Sequence, residues 1–220
     1  GIGLMFFSVS EPMYYLQNGP GFFGAEPETN AAGVAALTQT FFHWGFSPWA
    51  IYGLVGLGLA FFSFNRGLPL TFRSIFWPLL GERIYGWPGH IIDLVTVFAT
   101  LFGLATSLGL GVAQVNTGLS YVGGDILGVV DIPTGIGPQV ALIAGITLIA
   151  TMSVAAGLEG GVKRLSTINL YLMLVLLGFL IIVGPTLYIF SSWVEGLGVY
   201  FGNFLSLSFF TGAMGEGGGT

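Results

Sequence analysis

Long apolar runs, separated by short stretches that gather most of the charge, set the pattern of this chain. A helix needs about 20 apolar residues to cross the hydrocarbon core of a bilayer. On that measure the pattern predicts five membrane helices, over residues 1–16, 31–64, 89–121, 137–158 and 165–190, the first of them cut short. The second is long enough to tilt or to run past the bilayer. Residues 191–210 then mix Trp193, Glu195, Tyr200 and Asn203 with Leu and Phe, the pattern of a helix lying in the membrane interface. Residues 68–78 are apolar but too short to span, and a second interfacial helix is expected there. The fold class predicted is an all-α polytopic membrane protein. Residues 1–190 carry the spans, and 191–220 carry the interfacial helix and the start of a linker.

Composition agrees with a bilayer as solvent. Charged residues make up 7% of the chain and hydrophobic residues 54%, where a soluble domain carries about a quarter charged residues. The 37 glycines suit membrane helices, in which small residues let backbones approach closely. A net charge of −5 without a basic patch sets nucleic-acid binding aside, and the lack of cysteine rules out disulfides and thiolate metal sites. The glycine-rich start without an initiator Met, and an end at Thr220 in a glycine run, lead us to expect an internal piece of a longer chain. The five basic residues fall in two connections, Arg66, Arg73 and Arg83 in one, Lys163 and Arg164 in the other. The remaining loops hold Glu11, Glu26, Glu28, Asp125, Asp131, Glu195 and Glu216. The positive-inside rule therefore predicts that the two basic connections are cytoplasmic.

Candidate chemistry concentrates in residues 40–52. At about 100° per residue, Trp44, Trp49 and Tyr52 fall within an arc of roughly 140° on one helix. Pro48 removes a backbone donor and crowds the carbonyl of Trp44, so a kink is expected at Pro48. Three ring faces beside a kink suit a cation with no hydrogens to donate, such as trimethylammonium. An aromatic belt at the outer interface would present the same residue types, and the pattern leaves both readings open. Gly1, Ile2 and Gly3 have the glycine alternation of either close helix packing or an unwound, ligand-binding stretch. Thr100, Thr106, Ser107, Gln114 and Asn116 bring oxygens into the third span, for a sodium ion or for bonding helix to helix. His43 and His90 read as lone histidines, Asp93 as a group satisfied by water or Arg83, and Glu11-Pro12 as a helix terminus. Phosphate-loop, zinc-helix and nucleophile-elbow signatures are missing from the sequence.

These residues carry a resemblance. The run from Gly1 to Phe7 followed by Glu11-Pro12, then Phe41-Phe42-His43-Trp44-Gly45-Phe46-Ser47-Pro48-Trp49-Ala50-Ile51-Tyr52, resembles the betaine/choline/carnitine transporter family. Residues 74–82, 105–111 and 183–186 continue the match, so that it covers the chain in order. The resemblance implies a LeuT-like fold of two inverted five-helix repeats, of which this chain would be the first. It implies an aromatic box at Trp44, Trp49 and Tyr52, and unwound backbone beside the substrate at Gly1, Ile2 and Gly3. Choline-type members carry an acidic residue where this chain has Gly3, so betaine is expected over choline. Thr100 matches a hydroxyl implicated in sodium binding. A second threonine of sodium-coupled members is Leu104 here, which leaves sodium or a proton as the coupling ion. The interfacial segment resembles a helix that helps members assemble as homotrimers.

The function expected is cation-coupled import of glycine betaine or a related quaternary-ammonium osmolyte, by symport, for osmoprotection. No cofactor beyond the coupling ion is expected, and the setting is the inner or plasma membrane. A choline or carnitine carrier or exchanger is the alternative of the same class. An enzyme is not favoured, since no span gathers an acid, a base and a nucleophile, and a channel would need a polar stripe that only the third span begins to offer.

Overall fold

The computed structural model describes residues 2–213, without the side chains of residues 2–5, 158 and 159. Among the described residues every regular element is helical. Eight α-helices follow in order: α1 (Ile2–Asn18), α2 (Asn30–Trp44), α3 (Phe46–Ala60), α4 (Trp77–Leu80), α5 (Trp87–Ser120), α6 (Ile136–Ala155), α7 (Lys163–Val183) and α8 (Thr186–Phe209). Wider π turns lengthen α3 and α5 and lead into α7. Among the described residues four helical stretches are long and apolar enough to cross a membrane: Asn30–Asn65, Trp87–Ile126, Ile136–Ala155 and Gly160–Val183. The 17 residues of α1 rise only about 25 Å at 1.5 Å each, short of a roughly 30 Å core. Large apolar side chains stand exposed on every one of these helices, a surface that calls for a non-aqueous cover.

The chain divides into two compact units, and α1, α5 and α8 each contribute to both. One unit comprises residues 7–107 together with residues 196–213. Its first connection is shaped by Gly19, which ends α1 in the left-handed region, with its N–H on the Tyr15 carbonyl at 2.8 Å. A Cβ on Gly19 would meet the Ala25 carbonyl oxygen at 2.6 Å, so this turn requires glycine twice over. Thr29 then caps α2, its Oγ1 accepting from the Ala32 N–H at 3.1 Å.

The predicted second span is two helices. Pro48 cannot donate to the Trp44 carbonyl four residues back, and the chain leaves helical geometry at Gly45, between Trp44 and Phe46. The break thus lies three residues ahead of the proline where the kink was expected, at the turn the proline crowds. The backbone packs so tightly that a Cβ on Gly45 would collide with the Phe41 carbonyl oxygen and come 3.1 Å from the Tyr200 hydroxyl. That hydroxyl accepts from the Phe46 N–H at 3.0 Å, satisfying a donor that the start of a new helix leaves without an intrahelical partner. Gly196 lets α8 approach α2, since a Cβ there would press on the Phe41 ring at 2.8 Å. Phe46 and Phe204 close around the buried Tyr200 ring.

The rest of this unit departs from expectation in two places. Residues 68–78 do not form one interfacial helix. Short helical turns run through Phe72–Phe76, Trp77–Leu80 and Gly81–Tyr85, because Pro69, Pro78 and the left-handed Gly81 interrupt any longer ladder. Asp93 pairs with Arg73 rather than Arg83: Nε donates to Oδ2 at 2.5 Å and the Arg73 backbone N–H to Oδ1 at 3.2 Å.

In the other unit, residues 108–195 with the first turn of α1, Asn116 is fully buried. Its amide donates to the Pro133 carbonyl at 3.2 Å and accepts from the Gly135 N–H at 3.1 Å, fastening the connection into α6. The fifth span ends at Val183, seven residues before the predicted 190. Gly184 and Pro185 separate it from α8, which is one helix from Thr186 instead of beginning at 191. Pro185 leaves the Ile181 carbonyl without its usual donor, and the Thr186 hydroxyl donates to that oxygen at 2.6 Å.

Candidate functional site

Glu11 belongs to the interior of α1, which runs through Pro12 to Asn18 rather than ending there. Both carboxylate oxygens are engaged by the last two residues of α2. The Trp44 indole Nε1–H donates to Oε2 at 2.6 Å, and His43 Nδ1 meets Oε1 at 2.5 Å. One turn back on α2, the Gln39 amide nitrogen lies 2.9 Å from His43 Nε2. An amide nitrogen only donates. His43 thus turns Nε2 toward Gln39 and Nδ1 toward Glu11. Glu11 is thereby held through both of its carboxylate oxygens. Its side chain is only 12% exposed against 40% for His43.

Aromatic rings wall this carboxylate. Phe7 lies 5.7 Å from the Trp44 ring and Tyr15 lies 6.1 Å from His43. Together with Ser10 and Tyr14 these groups line an open cavity of about 540 Å³. An anion in an aromatic surround attracts cations twice, by its own charge and through the negative faces of the rings.

Across the break, Trp49 and Tyr52 sit three residues apart on α3 with ring centroids 5.8 Å from each other. They are 67% and 69% exposed, so their faces are free for a ligand or for the rest of a larger protein. Of the three predicted box residues, the fold brings Trp49 and Tyr52 together and anchors Trp44 separately, to α1. Thr100 lies on α5 with its hydroxyl donating to the Thr96 carbonyl at 2.8 Å, which leaves the oxygen lone pairs open to a cation. Leu104, one turn on, is exposed and offers no ligand. Gly1 lies outside the described residues. Ile2 and Gly3 form the first turn of α1, where the resemblance implies unwound backbone. Among the described residues no cluster of three or more His, Asp or Glu side chains is placed to hold a metal ion.

Three participants escaped the sequence reading. Glu11 was expected at a helix end, His43 as a lone histidine, and Tyr200 only as an interfacial aromatic. The available signal was an ionisable pair on apolar helices, a combination that marks functional sites in membrane proteins. It names no partner, because the residues that meet lie 32 and 33 positions apart.

The family model for betaine/carnitine/choline family transporters matches residues 1–218. The chain is 48% identical over 222 aligned positions to a glycine betaine/proline/choline transporter of Vibrio parahaemolyticus, an alignment covering 94% of this chain and 39% of that protein. It is 50% identical over 187 positions to glycine betaine transporter 1 of the same organism, covering 82% and 34%. A glycine betaine transporter of Acinetobacter baylyi is 39% identical over 209 positions, covering 95% and 30%. The chain thus spans between 30% and 39% of the length of these curated relatives.

Proposed function

The chain belongs to the betaine/carnitine/choline transporter family, and on that footing we propose that it forms part of a secondary active transporter importing glycine betaine or a related quaternary-ammonium osmolyte. Several apolar helices and the family together make it membrane-embedded. The observation that carries the substrate reading is the Trp49–Tyr52 pair, two large faces 5.8 Å apart and uncovered beside a helix break. A trimethylammonium group has no N–H to donate, so its recognition rests on ring faces and on exclusion of water. Each cation–π contact contributes about 0.5 to 2 kcal/mol, more as water is excluded. Trp44, whose indole N–H is already committed to Glu11, supplies a third ring. The neutral Gly3 and the names of the relatives support betaine over choline alone.

In this reading the five helical segments to Val183 are the first repeat of an inverted-repeat, LeuT-like fold, and α8 leads from it toward the second. The Arg66–Arg83 and Lys163–Arg164 connections are cytoplasmic, in an inner or plasma membrane, and α8 contributes to a homotrimer. Transport proceeds by alternating access, coupled to sodium or protons, with Thr100 contributing an oxygen to the ion. The test is uptake of radiolabelled glycine betaine by the full-length protein in cells lacking other betaine uptake. Saturable uptake that collapses when an ionophore removes the cation gradient is expected. Uptake that rises linearly with concentration and ignores the gradient refutes the carrier.

A further inference from the structure

We propose that Glu11 is a positioning residue for the substrate-facing Trp44 ring, acting on binding only through that indole; this rests on the betaine-carrier reading above. Trp44 is the last residue of α2, immediately before the Gly45 break. With α2 ending at Trp44 and the chain leaving helical geometry at Gly45, no continuous helix beyond Trp44 is there to hold its rotamer. The Glu11 carboxylate supplies that hold from another helix, through a charge-assisted bond of 2.6 Å to the indole Nε1–H. Phe7 backs the ring at 5.7 Å, and His43 steers the other carboxylate oxygen at 2.5 Å, so the carboxylate is itself fixed in orientation.

The bond also acts on the electrons of the ring. An N–H donated to an anion polarises toward it, which pushes density into the indole and makes its face more negative. A more negative, rotationally fixed face binds a quaternary ammonium better than a free indole does. Glu11 thus raises affinity without touching the ligand.

The experiment is a double-mutant cycle on glycine betaine affinity in the purified full-length protein, using Glu11→Leu, Trp44→Leu and the combination, with Glu11→Gln as the conservative variant. Trp44→Leu is expected to raise the dissociation constant about 2- to 30-fold, the loss of one cation–π contact. Glu11→Leu raises it by less or as much, and the double variant is no worse than Trp44→Leu alone, because the two residues act as one unit. Glu11→Gln, which keeps an acceptor oxygen for the indole, stays within about threefold of the parent. A second readout is independent of transport: in protein carrying ¹⁵N-indole tryptophan, the Trp44 N–H proton resonance, assigned with Trp44→Phe, moves upfield in Glu11→Leu and much less in Glu11→Gln. Additive losses in the double variant, or an unmoved Trp44 indole resonance, overturn the positioning role while leaving the carrier reading intact. If Trp44→Leu binds betaine like the parent, the aromatic recognition of the substrate fails first and this proposal with it.

Discussion

Replacing Tyr200 by Phe removes one oxygen from the joint between α8 and the broken helix. The hydroxyl is the acceptor for the Phe46 N–H at 3.0 Å, and Tyr200 as a whole is 2% exposed. Water has no ready access to replace it. The ring remains, so packing against Phe46 and Phe204 is retained, and the change isolates the hydrogen bond. Leaving the donor of this part-buried bond without a partner costs at most about 1 to 3 kcal/mol, an upper bound of roughly 5- to 140-fold in the unfolding equilibrium at 1.4 kcal/mol per decade. The control is Tyr188→Phe, on an exposed ring of the same helix, expected to stay within about 0.5 kcal/mol of the parent. Both are read by SDS-induced unfolding of the full-length protein in mixed micelles, followed by near-ultraviolet circular dichroism. Gly45→Ala attacks the same joint from the other side, where the new methyl collides with the Phe41 carbonyl oxygen. Overpacking of this kind costs about 1 to 3 kcal/mol. If Tyr200→Phe and Tyr188→Phe unfold alike, the hydroxyl is not a structural cap and the joint is held by ring packing alone.

Trp49→Leu and Tyr52→Leu should each raise the dissociation constant for betaine about 2- to 30-fold while insertion and assembly persist, and Tyr52→Phe should be milder because the π face survives; equal binding by all three variants in a direct assay refutes the aromatic recognition. Thr100→Ala should weaken the apparent affinity for the driving ion more than that for substrate, and an unchanged ion dependence of uptake would leave Thr100 as a helix-stabilising hydroxyl bonded to Thr96. Single cysteines at Asn65 and Glu28 in the full-length protein should be protected and labelled, respectively, by an impermeant thiol reagent on intact cells. The reverse pattern overturns the proposed orientation.

The sequence by itself determined where helices form and what surrounds them. An apolar run of sufficient length is a local property, so the stretches at 30–65, 87–126, 136–155 and 160–183 were legible within a few residues at most ends. Family membership was legible for the same reason, because motifs such as the aromatic run at 41–52 are contiguous. Pro48 announced a break but not its position: the proline removes a bond to Trp44, and the chain leaves helical geometry at Gly45, where a Cβ would meet the Phe41 carbonyl oxygen one turn back and the Tyr200 hydroxyl of α8. The end of α7 was misjudged because Thr186-Leu187-Tyr188-Ile189-Phe190 is as apolar as a span, whereas Gly184 and Pro185 interrupt the hydrogen-bond ladder whatever the hydropathy. What only the tertiary structure decided is partnership. Glu11 with His43 and Trp44, Arg73 with Asp93, and Tyr200 with Phe46 join residues 32, 33, 20 and 154 positions apart. A side-chain hydrogen bond depends on distances of a few tenths of an ångström between helices, and no periodicity along a chain encodes the rotation and height at which two helices meet.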